Sequence, residues 1–195
     1  MTLSRICVFC GSSPGKSPEF ESSARRVGQT LAERKIALVY GGGRVGLMGA
    51  VADGTLQHGG EVIGVIPRVL ATKELAHPGL TELRIVESMH ERKALMASLS
   101  GGFIALPGGY GTFEEFFEII TWAQLGLHQK PCGVLNVAGY FDPLLALAQH
   151  GIEAGFVSEQ HRCLIQHDAD LAQLLAKFEA YTPPPLPKWI TSAQS

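Results

Sequence analysis

Residues 103–115 have the sequence FIALPGGYGTFEE, in which an apolar run leads into a glycine-rich turn and then into a helix-like segment. The apolar run is typical of a buried strand. Gly108, Gly109 and Gly111 let the backbone of the turn take unusual angles and let a ligand approach it closely. A helix that begins at such a turn points unpaired N–H groups and the positive end of its dipole at the ligand, which favours a phosphate. The carboxylates of Glu114 and Glu115 follow, so the stretch indicates chemistry on a phosphorylated small molecule.

The same succession of strand and helix recurs along the whole chain. Strands are predicted at residues 6–9, 37–40, 62–66, 83–86, 103–106, 133–137 and 163–165. Helices are predicted at 18–33, 47–58, 89–99, 112–125, 143–153 and 171–180. The strands are short and apolar throughout, as expected for strands covered on both faces. We therefore expect an α/β, Rossmann-like, doubly wound and mainly parallel sheet with helices on both faces, in a single domain of residues 1–181. A proline-rich tail, residues 182–195, follows it.

Composition narrows the class of protein. The chain has 195 residues, 46% of them hydrophobic, and a formal net charge of -2, which suits one globular domain with a substantial core. There is no basic tract for nucleic acid and no apolar run near the ~18 residues that span a membrane. The N-terminus leads almost directly into a strand with no signal-peptide pattern, so we expect a cytoplasmic protein.

Glycine and small polar residues collect where predicted strands end. Such loops follow the first strand at Gly11-Ser12-Ser13, the second at 41–46, the fourth at 88–91 and the fifth at 107–112. Because ligands of parallel sheets bind beyond the carboxyl ends of the strands, the four loops should outline one polar cleft. The loop 41–46 also fits G-x-G-x-x-G, but it follows the second strand, and no acid ends the next one, so a nicotinamide cofactor is the less favoured interpretation. Its glycines remain candidates for contact with a phosphate.

Two helix starts have both a structural and a functional interpretation. Ser88 and Glu91 fit a capping box, which leaves Arg92 in the first turn, where a cation opposes the helix dipole unless an anion arrives. Lys93 fits a solvated helix face as well as a functional role. Thr112 and Glu115 fit a second capping box, so capping and catalysis are both open for Glu115. Together with Glu114 and Glu118 it also fits an exposed acidic face.

Other features are less specific. Cys7 and Cys10 have C-x-x-C spacing, but they lie within a predicted strand and at its end, whereas a redox pair normally lies at a helix start. The histidines show no metal-binding spacing, and no metal site is predicted. The predicted helix after the 107–112 loop is largely apolar (Phe116, Phe117, Ile119, Ile120 and Trp122), and we expect it to pack under the sheet edge and against a second subunit.

Several of these motifs, in this order, resemble one family. They are Met89-His90-Glu91-Arg92-Lys93 and the pattern P-G-G-x-G-T-x-x-E at 107–115, with further similarity at 10–13, 41–49 and 121–126. The chain is thereby similar, over about its first 180 residues, to the Lonely guy (LOG) family. These proteins are cytokinin riboside 5′-monophosphate phosphoribohydrolases that were long labelled lysine decarboxylases.

The resemblance implies hydrolysis of the N-glycosidic bond of adenosine 5′-monophosphate or an N6-substituted form, which releases the free base and ribose 5-phosphate. It implies Arg92 and Glu115 as catalytic residues and a phosphate site at Gly108, Gly109, Gly111 and Thr112. Further substrate contacts are expected at Glu74, Lys93, Tyr110, Glu114 and Thr121, and at the cleft loops with Gly11, Ser12, Gly42, Gly43 and Met89. No cofactor is expected, and the family forms homodimers. The alternatives are a non-catalytic nucleotide-binding module of the same fold and a lysine decarboxylase, which would need an electron sink such as pyridoxal phosphate.

Overall fold

The computed structural model describes residues 3–71 and 76–185. This part of the chain contains one sheet of seven parallel strands in the order β4-β3-β2-β1-β5-β6-β7. The strands are β1 Arg5–Phe9, β2 Ala37–Tyr40, β3 Val62–Pro67, β4 Glu82–Val86, β5 Phe103–Ala105, β6 Cys132–Leu135 and β7 Gln166–Asp168. The helices are α1 Pro18–Glu33, α2 Gly46–Gln57, α3 Arg68–Ala71, α4 Met89–Leu99, α5 Tyr110–Gln124, α6 Asp142–Glu153 and α7 Leu171–Glu179.

Helices cover both faces of the sheet, as the alternating pattern predicts. One hydrophobic cluster packs α1, α2 and α7 on one face, and the other packs α4, α5 and α6 on the opposite face. The direction of strand order reverses at β1, which lies between β2 and β5. A reversal of this kind opens a crevice at the carboxyl ends of the central strands. The predicted Rossmann-like α/β fold is therefore confirmed, and its crevice lies next to the 107–112 loop.

Glycines set how closely α2 approaches its neighbours. A Cβ at Gly28 of α1 would overlap the carbonyl oxygen of Val51, and one at Gly54 of α2 would overlap that of Arg25. The start of α2 is fixed to the loop after β1, because the Leu47 and Met48 N–H groups donate to the Gly11 carbonyl at 3.0 and 3.3 Å. The helix thus holds the β1 loop in place at the crevice.

The two edge strands depart from the prediction. The predicted strand 163–165 is wrong, because Glu159–Leu164 is a 3-10 helix and β7 begins at Gln166. The polar edge strand β7 lacks an apolar signal, whereas the buried Leu164 just before it supplies one. Leu83 and Ile85 of β4 are exposed, so the expectation of strands covered on both faces is also wrong at this edge. The predicted 133–137 strand ends at Leu135, and a 3-10 turn, Val137–Gly139, follows it.

The remaining expectations concern cysteines, membranes and the tail. Cys7, Cys10 and Cys132 are buried free thiols, and burial raises the pKa of Cys7 and Cys10, which favours the inert thiol over a redox pair.

In the described ranges no helix has both the length and the apolarity needed to cross a membrane. Residues 182–185 have no regular secondary structure, and the rest of the tail lies outside the described residues.

Candidate active site

A cleft of about 350 Å³ opens at the carboxyl ends of the central strands. The loops after β1, β2 and β5 contribute to it, together with the start of α4 after β4. This is the gathering of four loops that the sequence predicts. The lining residues are Cys10, Gly11, Ser12, Gly41, Gly43, Met48, Ile66, Leu70, Met89, Arg92, Gly109, Tyr110, Gly111, Thr112, Glu114 and Glu115.

Helix α5 begins at the cleft without a side-chain cap. Its N-cap residue is Gly109, and within residues 3–71 and 76–185 no side chain caps its first N–H groups. The helix starts two residues earlier than predicted, which places Glu115 in its second turn. A capping box needs the acid at the third helical position, so the capping interpretation of Glu115 is wrong. The uncapped N–H groups and the helix dipole instead make this end of the cleft suitable for an anion.

The glycines of the β5–α5 loop fall into two classes. A Cβ at Gly108 would overlap Thr112 Oγ1 and would lie 2.8 Å from the Gly11 nitrogen, so Gly108 is needed for packing within the protein. Apart from its chain neighbours and the backbone of its own helix, a Cβ at Gly109 or Gly111 would meet no atom of the described residues within 4 Å. The space beside these two residues is therefore available to a ligand that approaches the helix N-terminus.

Arg92 and Glu115 form an ion pair across the cleft, with Arg92 Nη1 at 3.1 Å from Glu115 Oε1. Both side chains are largely buried, with 12% and 10% of their surfaces exposed. The contact lacks the geometry of a directed hydrogen bond, and none of the described residues forms a hydrogen bond with Oε1. Arg92 is fixed from another side by its Nε, which donates to the Val65 carbonyl at 3.2 Å. The carboxylate oxygen can therefore still accept a hydrogen bond from water or from a substrate hydroxyl.

The electrostatics of the site keep Glu115 easier to protonate than an ordinary glutamate. Burial raises its pKa, and the positive charge of Arg92 only partly offsets this effect. The negative charge of Glu114 raises the pKa further. A carboxylate of this kind is a stronger base than an exposed one and is suited to proton transfer.

Lys93 lies beside this pair rather than on a solvated helix face. It is buried, and its ammonium group donates to Glu114 and, at 3.0 Å, to Glu118. Burial alone would lower the pKa of Lys93, but the bonds to the two carboxylates outweigh it and raise the pKa. The expectation of an exposed acidic face is therefore wrong for Glu115, which is buried. The charges of Glu114 and Glu118 are compensated by Lys93.

The capping interpretation is correct for Ser88. Its hydroxyl accepts from the Glu91 N–H at 3.1 Å, and Glu91 reaches back to the N–H of Glu87 at 2.9 Å. This arrangement fixes the first turn of α4, which presents Met89 and Arg92 to the cleft.

Most residues named from the resemblance line the cleft, but some do not. Gly42 is a buried turn residue with φ of 74°, and Gly108 lines a neighbouring pocket that shares Gly11, Ser12 and Gly109 with the cleft. Thr121 lies away from the cleft, where its hydroxyl donates to the Phe117 carbonyl at 2.7 Å. Glu74 lies outside the described residues. The apolar wall of Met48, Ile66 and Leu70 was not predicted, because an apolar residue at a strand or helix end has no sequence signal that distinguishes it from core.

A second, apolar groove of about 410 Å³ lies between α5, α6 and the 3-10 helix before β7. Phe117, Thr121 and Leu147 contribute to its wall, and 41% of Phe117 and 63% of Leu147 are exposed. Neither Arg92 nor Glu115 lines it, so this side groove is separate from the cleft.

The comparisons with known proteins point in one direction. Residues 48–178 match the family model described as possible lysine decarboxylase. The chain is 54% identical over 181 residues to a probable cytokinin riboside 5′-monophosphate phosphoribohydrolase of Oryza sativa subsp. japonica, covering 93% of this chain and 74% of the relative. It is 49% identical to a cytokinin riboside 5′-monophosphate phosphoribohydrolase of Arabidopsis thaliana, covering 92% and 82%.

A solved structure supports the fold alone. The molybdenum cofactor binding protein of the phototrophic bacterium Rippkaea orientalis superposes with a TM-score of 0.67 at 20% identity, over 93% of this chain and 99% of that chain.

The two classes of glycine give a testable contrast. We expect Gly111→Ala to keep the melting temperature, because its methyl group meets no other element of the described chain, and to weaken the binding of inorganic phosphate at least tenfold by occupying ligand space. Gly108→Ala should instead lower stability by about 1–3 kcal/mol through overpacking. Thermal melts and titration calorimetry with inorganic phosphate on both variants check this. Equal phosphate affinity of Gly111→Ala and wild type would contradict a ligand at this position.

Proposed function

Because the chain belongs to the Lonely guy (LOG) family, we propose that it is a phosphoribohydrolase that acts on adenosine 5′-monophosphates, including N6-substituted ones. It hydrolyses the N-glycosidic bond and releases the free base and ribose 5-phosphate. The observation that carries the proposal is the buried Arg92–Glu115 pair at the edge of a cleft that also contains an uncapped helix N-terminus.

The N-terminus of α5 binds the 5′-phosphate in this proposal. Its first N–H groups are free of side-chain caps, and the open space beside Gly109 and Gly111 admits the phosphate oxygens. The hydroxyl of Thr112, in the first turn of the helix, adds a further donor at the cleft. This end of the cleft fixes the nucleotide, so that the sugar lies towards Glu115.

Glu115 acts on the anomeric carbon. Cleavage of a glycosidic bond passes through an oxocarbenium-like state, which a nearby carboxylate stabilises or which water activated by that carboxylate traps. The C1′–N9 bond breaks, a water oxygen bonds to C1′, and the proton of that water passes to Glu115 and then to solvent or the departing base. The unpartnered Oε1 and the raised pKa of Glu115 suit this role.

Arg92 orients the carboxylate and the nucleotide. Its guanidinium contacts Glu115 at 3.1 Å and is held by the Val65 carbonyl, so it presents fixed donors at the cleft. Such preorganised charge stabilises the state in which negative charge builds up on the base.

The alternative activity, lysine decarboxylation, is less well supported than glycosidic hydrolysis. A Schiff-base lysine needs a lowered pKa, whereas the pKa of Lys93, buried beside the site, is raised by Glu114 and Glu118. The named relatives with about half of their residues identical are phosphoribohydrolases.

We also propose that the protein acts as a homodimer. The side groove and the exposed Phe117 and Leu147 form an apolar surface on α5 and α6, which a second copy of the chain would cover. Thr121 lies on this surface, so a contact between Thr121 and substrate would need the partner subunit's site to lie nearby.

The direct test is base release from AMP and from isopentenyladenosine 5′-monophosphate, followed by chromatography. We expect free base and ribose 5-phosphate from the wild-type protein and a loss of at least about a hundredfold in kcat for Glu115→Gln, because the essential carboxylate is gone. Glu118→Gln is the matched control, since it removes a neighbouring acid that does not line the cleft. Nucleotide binding without base release by the wild type would favour the binding-module interpretation.

The pH dependence of the reaction follows from the raised pKa of Glu115. The reaction needs the ionised carboxylate, so kcat/KM should fall on the acidic side with a midpoint above the ordinary glutamate value of about 4.3.

The contribution of Glu115 to the free energy of unfolding should change with pH in the opposite direction to the activity. The folded pKa exceeds the unfolded one, so the contribution to stability is present at low pH and is lost as pH rises through the folded pKa. Glu115→Gln should therefore melt no lower than wild type at pH 8, and a lower melting temperature there would contradict the assignment.

The dimer proposal is tested by Leu147→Glu, which places a charge on the side groove. Because Leu147 is largely exposed in the single chain, the variant should keep its fold and shift from dimer to monomer in light scattering after size exclusion. Ile85→Glu, on the distant edge strand β4, is the control and should stay dimeric. A wild-type monomer at micromolar concentration would contradict the proposal.

A further inference from the structure

A pair of side chains outside the cleft fastens the segment 76–80 to helix α2. His77 Nε2 lies 3.0 Å from Asp53 Oδ1, and His77 Nδ1 lies 3.1 Å from the Gly79 nitrogen. Because the Gly79 N–H donates to Nδ1, the ring hydrogen is on Nε2 and is donated to Asp53. Both ring nitrogens are thus used, and the His77 side chain is only 10% exposed.

The backbone of the same segment holds the turn after β2. The His77 N–H donates to the Gly42 carbonyl at 2.9 Å, and Ala76 forms an isolated antiparallel bridge with Gly43. Gly42 has φ of 74°, a conformation that a residue with a side chain adopts only with strain. These contacts hold the turn 41–43 in one conformation.

This turn in turn supports Arg92. A Cβ at Gly41 would overlap Arg92 Nη2, so the guanidinium packs directly on the Gly41 backbone. The turn and the Val65 carbonyl, 3.2 Å from Arg92 Nε, together limit the positions that the guanidinium can take. A displaced turn would let Arg92 move away from Glu115.

We propose that His77 and Asp53 form a latch that positions Arg92 through the turn 41–43. The two residues do not line the cleft and act through the backbone, so they are positioning residues. The latch rests on the proposed function, because it explains how Arg92 is kept within reach of Glu115 during glycosidic cleavage. It assigns a role in the reaction to residues of α2 and of the segment before β4, neither of which touches Glu115.

Arg25 supplies the matched control. Its Nη1 lies 3.6 Å from Asp53 Oδ2, and its Nη2 lies 3.0 Å from Glu21 Oε1. Arg25 therefore binds the same carboxylate as His77 but is not part of the His77–Asp53 latch. Asp53→Ala also replaces a helix-interior acid by the best helix former, so α2 itself should not be weakened.

The experiment measures kcat, KM and the pH profile for AMP in the full chain. Asp53→Ala and His77→Ala should lower kcat about tenfold, as expected for a misplaced catalytic group, and change KM less than about twofold, since α5 is untouched. The acidic limb of kcat should move to higher pH, because Arg92 then lowers the pKa of Glu115 less. Glu114, Glu118 and Lys93 also face Glu115 and are unchanged in these variants. His77→Gln, whose amide can still donate to Asp53, should restore most of kcat, and Arg25→Ala should match wild type.

The outcomes separate the latch from the proposed function. Wild-type protein that releases no base would overturn the proposed function and the latch with it. An active wild type whose Asp53→Ala and His77→Ala variants keep kcat and the acidic limb would overturn the latch alone. A loss of kcat that Arg25→Ala shares, or a loss without movement of the acidic limb, would indicate a general structural effect and would also overturn the latch.

Discussion

The buried ion pair between Arg92 and Glu115 is the interaction on which the site depends, because it joins helix α4 to helix α5 across the crevice of the sheet. Removing two charges from water is costly, and their mutual attraction offsets this only with supporting contacts. Arg92 has such contacts in the Val65 carbonyl and the Gly41 backbone, whereas the Glu115 oxygen facing it lacks a directed hydrogen bond. Arg92 is thus held by several contacts, whereas the Glu115 oxygen still has room for a hydrogen bond. A substrate hydroxyl or a water molecule would supply that bond.

Charge is divided unequally along the first turns of α5. Lys93 binds the carboxylates of Glu114 and Glu118, and Arg92 faces Glu115. Consecutive residues of α4 therefore pair with different acids of α5. Burial raises the pKa of Glu115 and the single charge of Arg92 only partly offsets it, whereas the two carboxylates that bind Lys93 outweigh the effect of burial and raise the pKa of its ammonium group. The result is one buried carboxylate with a raised pKa beside two acids that pair with Lys93.

Sequence patterns predicted the interior of the fold well and its edges poorly. The predicted bounds of α1, α4 and β2 agree with the structure, because both helices begin at a serine whose side chain caps the first turn, and β2 is a fully buried apolar run; such features are strong local signals. The polar edge strand β7 was missed, since only its pairing with β6 makes it a strand. Ser88-x-x-Glu91 and Thr112-x-x-Glu115 have the same spacing, yet only the first is a capping box, because the glycine turn lets α5 begin earlier at Tyr110.

The parallel α/β fold, the four loops of the cleft and the family could all be predicted from the sequence, because glycine turns, apolar strands and the spaced motifs are local properties of the chain. Three contacts became visible only in the folded protein: Glu115 faces Arg92 instead of capping its helix, Lys93 is buried between two acids, and the backbone of His77 contacts the turn behind Arg92. Each of these contacts joins residues that lie at least 21 positions apart in the sequence. Their geometry depends on the order of the strands in the sheet, and this order cannot be read from any local sequence pattern.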